Sequence, residues 1–294
     1  MPHTHHIAFE SFPVAAALVV MALVYVRGWV CIRGLDLATI EGWRAVCFLL
    51  GLFFIWLAVG SPLAALNHEL LTVHMVQHLL LMTLAPPFIW LGAPMKPLAH
   101  GLPQRFVQLI VAQLFRLMPV QRLGRAITQP TVCWLAAAGT LIGWHIPSAF
   151  MLGMQSEIWH AIEQASFLVS GLLFWWPVVR PRPAASNGSE WSTLLYLFLA
   201  TLPCDILSAF LAFCDRIVYP IYPSAPGRFN LTPLQDQQCA GALMWVSVTL
   251  AYLVPAAVIT VTLLSSTDNE LRHHPRGAYE PLASRLTGSD AEVV

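Results

Sequence analysis

Apolar residues along this chain gather into long runs separated by short polar stretches. A membrane-crossing helix needs about 20 mainly apolar residues. Seven runs approach or exceed that length, at 12–30, 44–61, 70–92, 131–149, 158–179, 191–213 and 237–264. An eighth, FVQLIVAQLFRLMPV from Phe106, is shorter and is interrupted by Arg116. It predicts an interfacial helix lying on the membrane between the third and fourth spans. The pattern therefore predicts an all-α membrane protein. Residues 1–264 form a seven-transmembrane-helix bundle, and 265–294 form a polar tail bearing Gly and Pro.

Composition agrees with the pattern. Hydrophobic residues make up 57% of the chain and charged residues 10%, against about 25% charged in soluble domains. No basic stripe interleaved with aromatics is present, so nucleic acid is not an expected partner. The start, MPHTHHIAFESFPV, lacks a basic n-region and a small-residue cleavage site, and does not read as a removable signal peptide. The six cysteines form no CxxC pair and predict no disulfide framework. Copper or haem chemistry stays open for Cys204, Cys214 and Cys239. The last span has no lysine, which excludes a retinal Schiff base, and GxSxG and HExxH are both absent.

Charge orients the bundle. If the loop between spans three and four faces the cytoplasm, that side collects Arg27, Arg33, Arg44, Lys96, Arg105, Arg116, Arg122, Arg125, Arg180, Arg182, Arg272, Arg276 and Arg285. Only Arg216 and Arg228 fall on the other side. The positive-inside rule then predicts the N-terminus outside and the C-terminus inside.

With that topology, scattered polar residues become a layer. His74 and His78 lie about 8 and 14 Å below the outer end of span three, four residues apart on one helix face. Met82 continues that face, and Met75 lies beside it. GWHIP places His145 at the outer end of span four. EIWHAIEQ places His160 one turn into span five, followed by Glu163 and Gln164. LPCDILSAF puts Asp205 about 14 Å deep in span six. DQQCAGALMW puts Asp236 at the mouth of span seven, with Met244 two turns below. An aspartate near a helix centre costs about 2.5–3.5 kcal/mol to insert, so Asp205 is expected to face the bundle with a partner.

Imidazole suits copper, zinc, iron and nickel, and thioether or thiolate selects Cu(I). His, Met and Cys facing an outer compartment point to copper first. His74 and His78 are the core candidates, and His145 and His160 would complete the site. Asp205 is expected to orient an imidazole from behind. Met75, Met82 and Met244 read as packing before ligation. His68 reads as an interfacial residue, and the PHTHH run as a weak metal collector. Pro86-Pro87, Trp175-Trp176 and the Pro220/Pro223 pair read as helix ends and interfacial anchors. The rival readings are a haem-binding membrane protein, a membrane copper transporter using Met82, Met95 and His100 on the inner half, and a scaffold without metal.

SPLAALNHELLTVHMVQHLLLMTLAPPFIWLGAP, HIP followed by WHAIEQASFLVSGLLFWWPVV, PCDILSAFLAF, YPIYP and LTPLQDQQCAGALMWV occur in that order between Ser61 and Val246. Together they resemble the polytopic CtaG-type (Caa3/CtaG) cytochrome c oxidase assembly proteins. The resemblance implies a seven-helix, multi-pass protein of the bacterial inner membrane. It also implies an assembly factor, not a catalyst, that serves a haem-copper oxidase subunit by supporting its metallation with copper, directly or through a periplasmic copper chaperone. The family's histidines fall on His74, His78, His145 and His160, and its acidic residues on Asp205 and Asp236. One departure is Gln164, where the family often has a second histidine in span five.

Overall fold

The computed structural model describes residues 3–34, 41–67, 69–111, 113, 116–179, 189–222 and 230–273. His68, Arg180, Arg182, Pro223, Arg228, Arg276, Arg285 and most of the tail lie outside the described residues, as do the side chains of His3, His5 and His6. The described residues contain helices and no strand. The main helices are α1 (His3–Gly34), α2 (Gly42–Val59), α3 (Leu71–Leu91), α4 (Met95–Gly101), α5 (Met118–Ile127), α6 (Pro130–His145), α7 (Pro147–Gln155), α8 (Glu157–Val179), α9 (Ser189–Phe213) and α10 (Pro233–His273), with short helical turns at Pro62–Ala65, Gln104–Phe106 and Val107–Val111.

Six helices are long and apolar enough to cross a membrane, and a seventh span results if α5 and α6, bent by 65°, count as one. Large apolar side chains such as Ile206, Val246, Leu253 and Val258 point outward. So extensive an exposed apolar surface suits lipid and would aggregate a soluble protein. The fourth apolar run is not one helix. α6 ends at His145, Ile146 is extended, and Pro147 opens α7. Proline lacks the N–H a continuing helix needs and disfavours helical backbone in the residue before it.

The most enclosed span is α3, half of it buried against about a sixth of α1 and α10. It packs against α2, α8 and α10. Pro86-Pro87 does not end this helix. Without the N–H groups of Pro86 and Pro87, the carbonyls of Met82 and Thr83 lose their helical donors. The backbone widens into a π turn over Leu80–Leu84, then resumes as α-helix over Ala85–Leu91. The freed Met82 carbonyl accepts from the Trp175 indole at 3.2 Å. Trp175 is thus a buried strut between α8 and α3, not an interfacial anchor. Gly171, one turn earlier, lets the backbones close: a Cβ there would sit 2.6 Å from the Met82 oxygen.

Candidate metal centre

Three helix ends meet at one end of the bundle: the start of α3, the end of α6 and the start of α8. At their junction lie His74 and His78 of α3, His145 of α6, and His160 and Glu163 of α8. The i, i+4 spacing puts the rings of His74 and His78 edge to face, with centroids 4.3 Å apart. The His160 ring stacks on His74 at 5.7 Å, and His145 lies 6.5 Å from His78. Phe167, one turn below Glu163 on α8, stacks on His78 at 4.0 Å and fixes its plane.

Glu163 is the centre of the group. Its Oε1 lies 3.5 Å from Nε2 of His74 and 3.4 Å from Nε2 of His78. One ligand atom from each of the three residues falls within 4.8 Å of the others, and all three residues are buried. These spacings discriminate between two arrangements. A charge-assisted imidazole–carboxylate hydrogen bond is about 2.7–2.9 Å long. Ligand atoms about 2.0–2.2 Å from one tetrahedral ion stand roughly 3.3–3.5 Å apart. The two carboxylate–imidazole edges match the second geometry. Neither Glu163 oxygen accepts a hydrogen bond, and neither ring nitrogen of His78 makes one. Buried polar atoms normally have partners, so the donor set fits a cation between the three side chains.

The other two histidines have fixed roles. Nδ1 of His145 lies 2.7 Å from the Leu141 carbonyl, an acceptor only, so Nδ1 carries the proton. Its buried Nε2 is therefore an unprotonated lone pair without a hydrogen-bond partner. His160 differs. Its Nε2 lies 3.3 Å from the amide nitrogens of both Asn67 and Gln164, which donate to it. Gln164, the departure noted in the sequence, thus holds His160 in place.

The acidic residues expected in the layer separate by position. Asp236 is a cross-helix cap. It accepts from the Leu71 amide at 2.6 Å, the Thr72 amide at 3.1 Å and the Thr72 hydroxyl at 2.6 Å, and so satisfies the first turn of α3. Asp205, half-buried, follows Cys204 on α9. The imidazole N–H of His145 is oriented by Leu141, not by Asp205. Met75, Met82 and Met244 are buried and border the histidines from below.

An aromatic roof, which the sequence did not signal, covers the group. Phe150 of α7 meets the His74 ring edge-on at 5.2 Å and packs on Tyr219 at 4.2 Å. Tyr219 donates to the His145 carbonyl at 2.9 Å, and Tyr222 to the Asn67 carbonyl at 3.2 Å. Burial pushes both phenols well above their ordinary pKa, so they stay neutral donors. Gln237 of α10 pins the segment beneath them through the Val218 amide and the Arg216 carbonyl. YPIYP carries both tyrosines and was the available clue.

Fold and site together define a multi-pass helical membrane protein with a buried histidine–carboxylate cluster at one end. The chain belongs to the cytochrome c oxidase caa3 assembly factor family, whose model matches residues 23–266. No curated protein and no solved structure matches it.

Proposed function

We propose that this oxidase assembly factor carries copper, and that His74, His78 and Glu163 take the ion. The observation that carries the reading is the convergence of these three donors at metal-coordination spacing in a buried site. His145 is the natural fourth ligand, since its Nε2 lone pair is fixed and unused. His160 supports His74 from behind. The ion is cargo for a haem-copper oxidase subunit, received from or passed through a periplasmic copper chaperone, and no catalytic step is needed.

The arginine distribution supports a bacterial inner-membrane orientation with the cluster outside, the N-terminus outside and the C-terminus inside. α5, with no buried residue and carrying Arg122 and Arg125, suits the inner membrane surface between spans three and four. A haem reading is disfavoured. Two axial histidines would have to face each other across a macrocycle, whereas these rings pack on one another and on Phe150 and Phe167. A transporter reading lacks an inner histidine ligand, since His100 bonds the Lys96 carbonyl.

The test is complementation of a strain lacking the chain. Wild type should restore copper content and activity of the oxidase in membranes. His74→Ala/His78→Ala and Glu163→Gln, present at equal levels, should not. Full restoration by both variants would leave a scaffold role and reject copper carriage.

A further inference from the structure

Beneath the cluster the bundle encloses a cavity walled by α3, α6, α8, α9 and α10. Its volume is about 40 Å³, room for an ion or a water molecule. Four sulfur-bearing side chains line it: Met75 and Met82 of α3, Cys204 of α9 and Met244 of α10. All four are buried. His78 and His145 line it too, so the cavity abuts the cluster directly. The rest of its wall is mainly apolar, and no carboxylate is among its lining residues.

The two compartments therefore differ in donor chemistry. The cluster offers two imidazoles and a carboxylate, a set that suits divalent ions such as zinc as well as copper. The cavity offers thioethers, a thiol and imidazole nitrogen, all neutral. Such donors select Cu(I). Apolar walls also penalise a divalent ion more than a monovalent one, because the cost of burying charge rises steeply with charge. The buried Nε2 of His145 has its lone pair exposed by the Nδ1–H bond to Leu141 and has no hydrogen-bond partner. It supplies a nitrogen donor at the boundary.

We infer that this cavity is a second metal compartment, specific for Cu(I), held by methionine sulfur with His78 and His145 as ligands shared with the cluster above. It rests on the copper reading and adds a route inward. An ion leaving the carboxylate moves onto softer donors without changing oxidation state, so no electron is transferred. The methionines are then ligands and not only packing. Their positions on α3 and α10 place the handover at the helix carrying the π turn.

The experiment is X-ray absorption at the copper edge on the full chain in detergent, loaded anaerobically with Cu(I), with Zn(II) binding measured on the same preparations. Wild type should show sulfur scatterers around copper. Met75→Leu/Met82→Leu/Met244→Leu conserves volume. It should lose those scatterers and weaken Cu(I) binding by about tenfold or more, with Zn(II) binding unchanged. His74→Ala/Glu163→Gln should lose Zn(II) and keep sulfur-bound Cu(I). Wild-type copper bound by nitrogen and oxygen only would overturn the cavity site and leave the cluster standing; the wild-type spectrum needs no variant to fold. No copper on wild type would overturn both.

Discussion

Asp236→Ala separates a helix cap from a metal ligand. In the folded chain the Asp236 carboxylate receives three hydrogen bonds from Leu71 and Thr72 at the first turn of α3. Truncation leaves the Leu71 amide without its acceptor at a residue only 2% exposed. An orphaned buried donor costs about 1–3 kcal/mol, and loss of a cap costs about 0.5–2 kcal/mol. The contributions overlap because one side chain makes all of the bonds, so a loss of about 1–3 kcal/mol is expected. Asp236→Asn keeps one acceptor but turns an NH2 toward other donors, and should recover only part of this. The assay is thermal unfolding in detergent with copper content measured on the surviving folded fraction. A fall of several degrees in Tm with copper per folded chain retained is the expected result. An unchanged Tm with copper lost would make Asp236 a ligand and refute the cap.

Other expected outcomes follow from the same contacts. Gly153→Ala would place a Cβ 2.7 Å from Glu163 Oε2. It should displace the carboxylate and weaken metal binding about 10- to 100-fold in a competition titration, although it touches no histidine. Trp175→Phe leaves the Met82 carbonyl at the π turn without a donor, and should lower stability by about 1–3 kcal/mol in thermal unfolding. Burial raises the folded-state pKa of Tyr219 and Tyr222 above their ordinary value near 10. Above about pH 10 the unfolded chain releases those protons first, so their contribution to stability is flat through neutral pH and falls as pH rises beyond that value. In Tyr219→Phe/Tyr222→Phe the alkaline fall in Tm should be shallower.

What was legible in the sequence follows helical periodicity. The spacing of His74 and His78 fixes a common face, and the rise per residue sets the depth of His145 and His160 without knowledge of packing. Rotation of one helix about its axis relative to another is not encoded in spacing. Glu163 and Gln164 are adjacent in sequence, yet one faces the imidazoles of α3 and the other bonds His160. Spacing places Asp205 deep in its span and Asp236 at the mouth of another, yet it is Asp236 that is buried. Only the meeting of the first turns of α3 and α10 makes one of them a cap. Pro86-Pro87 resembled a helix end because local rules see the missing donors. They do not see an indole on another helix satisfying the freed carbonyl.

The most direct test of the cluster is elemental analysis of detergent-purified protein after reductive copper loading, with wild type beside His74→Ala/His78→Ala and Glu163→Gln. Tightly held copper in wild type, reduced in both variants to the share that sulfur holds in the cavity below, is the expected result. Equal copper in all three proteins, or none in wild type, would contradict a metal centre at His74, His78 and Glu163.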